Sequence, residues 1–305
     1  MSVTHIPFLE GEKKLDWPGL IQALSDGHKL PKAKIQDTFI YRGGDTLLSR
    51  SAWIDSLGLA VKSATVFPDN TYKNIPIVNG AVSLFSDKDG ILEASIDFQL
   101  VTKWKTAGDS LLAATRLARK NSRRILIVGA GTVGRSLREA YAVLFPAASF
   151  MVWNRSYRKA VLLADDYPDT EIAEDLRMAV ENSDIVATAT MAREPLIKGE
   201  WLRPGQHIDL IGAFRPDMRE VDDNALLRAR LFVDSCDTTI GHIGEIKIPM
   251  ENGVISRHDL IADYYDFGKF IRESDEEITI FKNGGGAHLD LMTSKFILDR
   301  WNLSA

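Results

Sequence analysis

RILIVGAGTVGRSL, residues 124–137, joins an apolar run to a helical stretch through three glycines. Ile125 to Val128 reads as a strand, Gly129-Ala130-Gly131-Thr132-Val133-Gly134 as a tight turn, and the residues from Arg135 as a helix. A glycine triad alone is weak evidence; placed between strand and helix it matches the mechanics of a dinucleotide loop. Gly129 permits the turn, Gly131 lets the backbone approach a pyrophosphate, and Gly134 lets the helix pack on the strand. Thr132 and Val133 complete the candidate loop, and the helix that follows it offers free N–H groups and a positive dipole end to phosphate. The alternative is a glycine-rich turn with no ligand.

Outward from this loop the chain repeats short apolar runs and helical stretches: SFMVWNRS, SYRKAVLLADDY, DIVATAT, HIDLIGAF and LFVDS. Near-continuous apolar strands suit a parallel sheet covered on both faces, and the alternation implies βαβ units. The expectation is an α/β fold with a Rossmann-type doubly wound parallel sheet. Residues 45–104 read differently, with apolar runs separated by turn signals, and AVSLFSDKDGILEASI resembles a β-hairpin. The first third is therefore an α+β unit. Asp16 is a candidate N-cap for a helix over residues 15–24, and Ala107, Leu111, Ala114 and Ala118 form a helical stripe read as starting near Thr106.

The second strand bears on the cofactor. NAD sites place an acid there for the ribose 2′-hydroxyl; this chain has Asn154, followed by Arg155 and Arg158. A neutral amide beside guanidinium groups favours a 2′-phosphate. NADP(H) is the preferred cofactor, with NAD(H) possible. Thr188, Ala189, Thr190 and Gly212, at the ends of two later strands, complete the candidate cofactor set.

The 305 residues are 45% hydrophobic and 26% charged, the profile of a soluble globular chain of two domains. A net charge of −5 lacks the basic footprint of nucleic-acid binding. No apolar run spans a membrane, no leader pattern opens the chain, and the lone Cys236 fits a reducing, cytoplasmic setting. The six histidines have no metal-site spacing, so no metal is expected; His288, in a glycine-rich turn, stays open as a functional residue.

In LAVKSATVF (59–67) Lys62 alternates with Ala60, Ala64 and Val66 on one face of a strand. A desolvated lysine has a lowered pKa suited to proton or anion handling; an edge lysine that reaches water is the equal alternative from pattern alone. Lys105 falls at the domain junction, where clefts form, and Arg50, at the end of an apolar run, could also reach that cleft.

Together LAVKSATVFPDN (59–70), KTAGDSLLAATRLAR (105–119), the GAGTVG loop, DIVATATMAREPLI (184–197), PGQHIDLIGAFRPDMREVDD (204–223) and FKNGGGAHLDL (281–291) resemble the ornithine cyclodeaminase/μ-crystallin family. The resemblance implies a substrate-binding and dimerisation domain of residues 1–108 plus 285–305, an NAD(P)-binding domain of 109–284, and a homodimer. It places Lys62 at the substrate, with Lys105 where the family has a carboxylate-binding arginine and Arg50 as a compensating anchor. Lys34 replaces an early family arginine. Phe214 stands where cyclodeaminases carry an aspartate. A phenylalanine can neither accept a proton nor bond an ammonium, so the resemblance implies a reductase of cyclic imino acids such as Δ1-pyrroline-2-carboxylate or Δ1-piperideine-2-carboxylate. The alternatives are ornithine cyclodeamination, amino-acid dehydrogenation and a non-catalytic binding protein.

Overall fold

In a computed structural model the described residues are 3–73 and 75–303. The leader reading falls in part on Met1 and Ser2, and the segment 285–305 ends on Ser304 and Ala305; these four lie outside the described residues. The chain divides into two compact units, Met1–Lys105 with Gly285–Ala305, and Thr106–Gly284. The sequence reading put the boundary at 108. No loop marks it, because one continuous helix, Phe98–Leu117, runs through it. That helix also begins earlier than Thr106: Asp97 Oδ1 accepts the amides of Gln99 (2.7 Å) and Leu100 (3.1 Å), so Asp97 caps a start hidden at the end of a strand.

Among the described residues the first unit has six strands: β1 Thr4–Ile6, β2 Lys34–Arg42, β3 Asp45–Ile54, β4 Gly58–Val66, β5 Val78–Phe85 and β6 Leu92–Asp97. Their order is β1-β6-β5-β4-β3-β2, with β1 parallel to β6 and the other pairs antiparallel. The β5–β6 pair is the expected hairpin. Register aligns Asp37, Arg50, Lys62, Val82, Ile96 and Ile6 in one cross-strand row. Directly opposed residues share a face, so this row runs from a polar edge into apolar core. The helix Ala287–Leu303 covers β3 and β4, and its residues 287–294 are all buried. Asp16 caps the helix Trp17–Gly27 through Gly19 N at 2.7 Å and also pairs with Arg300 at the far end of the last helix.

In the second unit eight parallel strands follow: β7 Arg124–Val128, β8 Ser149–Trp153, β9 Thr170–Ile172, β10 Ile185–Thr188, β11 His207–Leu210, β12 Arg230–Val233, β13 Leu260–Ala262 and β14 Thr279–Lys282. Their order is β13-β12-β14-β11-β10-β7-β8-β9. From β7 the chain moves first toward β8 and β9, then returns to β10 on the other side. That reversal is a topological switch point, where open α/β sheets bind ligands outside the carboxyl ends of their strands. The fold is α/β with a Rossmann-type parallel sheet.

Candidate active site

The loop after β7 begins at Gly129, whose φ of +116° falls in the left-handed region that favours glycine. A Cβ on Gly134 would strike the Gly129 carbonyl, so that glycine is required by packing. Gly131 differs: a Cβ there would meet no atom within 4 Å. The protein's own packing does not demand glycine at 131, and the open space there leaves room for a ligand to approach the backbone. Gly131 is the N-cap of the helix Thr132–Leu144 and has no side chain to satisfy the first-turn amides, which have no intrahelical acceptor. The residues present therefore fit a dinucleotide pyrophosphate.

Asn154 does not point freely at a ribose. Its Oδ1 accepts the Ala130 amide at 3.0 Å and its Nδ2 donates to Ser156 O at 3.0 Å, so it holds the loop. Arg155 and Arg158 are exposed and make no hydrogen bond or ion pair among the described residues. The far wall departs from expectation. Thr188 is buried, with its hydroxyl 3.4 Å from Asp209 O. Ala189 presents its carbonyl to Gly129. The Thr190 amide and hydroxyl and the Gly212 and Ala213 amides all donate to the buried Glu220 carboxylate at 2.7–3.2 Å. These donors hold the loops after β10 and β11 together rather than standing open to a ligand. Glu220 came only as part of a matching segment, since nothing in its local pattern marks the clamp. Phe214, on the loop after β11, is 58% exposed.

The second unit buries further acids. Asp209 accepts the Tyr141 hydroxyl at 2.8 Å, and burial pushes its carboxyl up to about 7. Glu245 accepts the Glu220 and Val221 amides, and burial pushes it likewise to about 7. Burial sends the Cys236 thiol up to about 12, which suppresses its thiolate.

The first unit gathers the cations. Lys62 is 5% exposed; its Nζ donates to Asp290 Oδ1 and to Thr102 Oγ1, each at 2.9 Å, and lies 4.6 Å from the Phe98 ring centroid. Burial lowers the ammonium from 10.5 to about 8, with Lys105 and Arg50 adding to the fall and Asp290 opposing it. Burial raises the Asp290 carboxyl, but Lys62, Lys105 and Arg50 outweigh it and bring it below the usual range. Arg50, in the middle of β3 rather than at its end, donates Nε to Asp37 at 2.9 Å and Nη1 to Gly285 O at 2.8 Å. Lys105 Nζ donates to the same Gly285 oxygen at 3.0 Å. Arg50, Lys62 and Lys105 thus converge, and against Asp37 and Asp290 they leave one positive charge, the complement of one carboxylate. Lys34 does not join them. Its position on β2 is of opposite parity to Asp37, and it is exposed with its Nζ 6.0 Å from the Trp53 ring. His288 is fully buried, 5.3 Å from the His28 ring, and burial drops it to about 3, so it is neutral. Thr102, Asp37 and Asp290 were missed from the sequence; Asp290 had one available signal, its place in the first turn after the glycine-rich turn.

A glycine loop fitted to a dinucleotide at a switch point in one unit, and a cation cluster with one net positive charge in the other, set the class of protein. The chain belongs to the ornithine cyclodeaminase/mu-crystallin family, whose model matches residues 51–304. It is 48% identical over 292 residues to Delta(1)-pyrroline-2-carboxylate reductase of Paracoccus denitrificans, covering 93% of this chain and 92% of that one. It is similar in structure to Thermococcus litoralis Delta(1)-pyrroline-2-carboxylate reductase in complex with NADH and L-proline, with a TM-score of 0.89, 28% identity, and 99% and 98% of the two chains covered. It is also similar to an archaeal alanine dehydrogenase dimer with bound NAD, with a TM-score of 0.90, 26% identity, and 100% and 97% covered.

Proposed function

We propose that the protein reduces cyclic imino acids of the Δ1-pyrroline-2-carboxylate class to the saturated amino acid with a nicotinamide cofactor. The observation that carries this is the buried Lys62 ammonium beside Arg50 and Lys105, a site with one net positive charge and a proton donor. Both pyrroline-carboxylate reductases above support the ring substrate. When bound, the reduced nicotinamide supplies a hydride to the imine carbon. Arg50 and Lys105 hold the substrate carboxylate and fix the ring. Lys62 gives the imine nitrogen the proton that makes its carbon electrophilic.

The finer reading of the cofactor prefers NADPH, because Arg155 and Arg158 are free cations after β8 and no carboxylate occupies Asn154's place. The two solved neighbours hold NADH and NAD, and the ratio of kcat/KM with NADPH to that with NADH tests the preference. A homodimer built through the first unit is part of the same reading. It is supported by exposed Phe39, Ile40, Tyr41, Leu47 and Trp53 on β2 and β3. A reducing, cytoplasmic setting fits the single cysteine.

One assay tests the reaction. Purified protein is given NADPH or NADH with each cyclic imine, nucleotide absorbance is followed, and ornithine is tested in parallel for ammonia release. Imine-dependent loss of reduced nucleotide is expected. Ammonia from ornithine without net cofactor consumption would overturn the reductase reading.

A further inference from the structure

A protonated lysine has three donors. Lys62 gives one to Asp290 and one to Thr102, and no third hydrogen-bond acceptor stands among the described residues. The direction of the Thr102 bond is fixed. The Thr102 hydroxyl donates its only proton to Phe98 O at 2.8 Å, so its oxygen faces Lys62 as an acceptor. Either protonation state could serve these two acceptors, but only the ammonium has a third N–H; a neutral amine would carry its lone pair in that position.

The charged and titratable groups around Lys62 come from every packed element. Arg50 stands opposite on β3, held in turn by Asp37 on β2. Lys105 lies on the helix Phe98–Leu117, and Asp290 and His288 on the last helix, with His28 behind His288. His288 is neutral, and Arg50 and Lys105 repel the charge on Lys62. Asp290 is the one anion bonded to it, only 1% exposed, and its Oδ2 has no hydrogen-bond partner.

We propose that Asp290, with Thr102, is a positioning residue that keeps Lys62 protonated and leaves its remaining N–H for the imine nitrogen of the substrate. This rests on the imine-reductase reading. In the step, the imine nitrogen's lone pair takes a proton as a Lys62 N–H bond breaks. The imine carbon then accepts a hydride from the reduced nicotinamide, and the π pair returns to nitrogen to give the neutral ring amine and the oxidised nucleotide. Lys62, left as the amine, regains a proton from water.

The test uses the full chain with NADH and Δ1-pyrroline-2-carboxylate, measuring kcat and KM across pH 6–10. Because the protonated lysine donates, wild-type activity should fall as pH rises through about 8. In Asp290→Asn the counter-charge is gone, so that limb should move toward acid by about one pH unit or more, and kcat at pH 8 should fall about fivefold or more. KM for the imine should hold or fall, since removing an anion strengthens carboxylate binding; a general collapse of the site would raise it. Asp290→Glu should restore the limb. Thr102→Val keeps the charge, so the limb should stay while kcat drops. Lysine ¹³Cε NMR of both proteins should show the Lys62 titration itself lowered in Asp290→Asn. An unmoved limb and an unmoved Lys62 titration in Asp290→Asn would overturn the proposal, as would wild-type kcat in Thr102→Val. A wild-type protein that reduces no imine while the NMR titration still shifts would overturn the reductase reading, and with it the proton's destination, and leave the Asp290–Lys62 coupling standing. Should Asp290→Asn not fold, Thr102→Val still tests the proposal, since wild-type kcat there would overturn it.

Discussion

Lys62 is a charge the fold buries and must balance. Its strand reads as ordinary in every other position; alternation puts the ammonium on the face of Ala60 and Ala64, and only the structure shows that this face is the covered one. The balancing group was not legible, because Asp290 lies 228 residues away and meets Lys62 only when the last helix returns to the sheet. Lys62→Met should lower kcat at least about a hundredfold, the low end for a general acid; near-wild-type turnover in steady-state assays would remove Lys62 from the mechanism. The same change strands a buried carboxylate, so urea titration should show a loss of about 3–5 kcal/mol. Adding Asp290→Asn removes that carboxylate and should recover much of the stability while activity stays lost, which separates the chemistry of the lysine from its part in the fold.

Glycines and caps set the elements. The loop after β7 was legible because strand, turn and helix signals are contiguous, and each glycine's task follows from local sterics. The structure divides those tasks in a way that can be measured. Gly134→Ala forces a Cβ into the Gly129 carbonyl and should lower the melting temperature clearly. Gly131→Ala enters open space, so it should cost stability no more than about 1 kcal/mol as an N-cap change, yet weaken NADH binding about tenfold or more by blocking approach to the pyrophosphate. Thermal melts beside fluorescence titrations with NADH check both; a Gly131→Ala protein that binds NADH normally would mean the phosphates do not use this loop. Other elements were illegible for physical reasons. β2 buries little of either face, so KIQDTFIYR carries no burial pattern. Asp97 ends β6 and caps the next helix at once, so neither boundary shows as a break in periodicity. Glu220 joins two loops through four donors that the sequence keeps apart.

At the scale of the molecule, buried ionisable groups set the response to pH. His207 and His288 are both lowered to about 3, by burial first. Between about 6.5 and 3 the unfolded chain binds the protons that these rings refuse, so each histidine makes stability fall with acid by about 1.4 kcal/mol per pH unit. Asp209 and Glu245, raised by burial to about 7, act with the opposite sign: below 7 the folded state binds protons that the unfolded state takes up only near 4. The two pairs offset one another between about 4.5 and 6.5. Denaturation midpoints should therefore change little across that window and drop steeply below about pH 4, where the histidines act alone and Asp290 also loses its charge. A steady decline from pH 6.5 would show the acids ionised in the folded protein. Light scattering should return twice the monomer mass, and Tyr41→Lys on the exposed edge strand should reduce it. The last helix has a consequence in time. A ribosome delivers β3 and β4 early, but the helix Ala287–Leu303 that covers them emerges after the whole second unit has been made. During synthesis at about 5–20 residues per second, the growing chain holds an uncovered sheet for roughly ten to forty seconds, with Lys62 lacking Asp290. The buried ion pair is thus assembled last, and a nascent chain stalled before residue 287 carries Lys62 without its carboxylate partner.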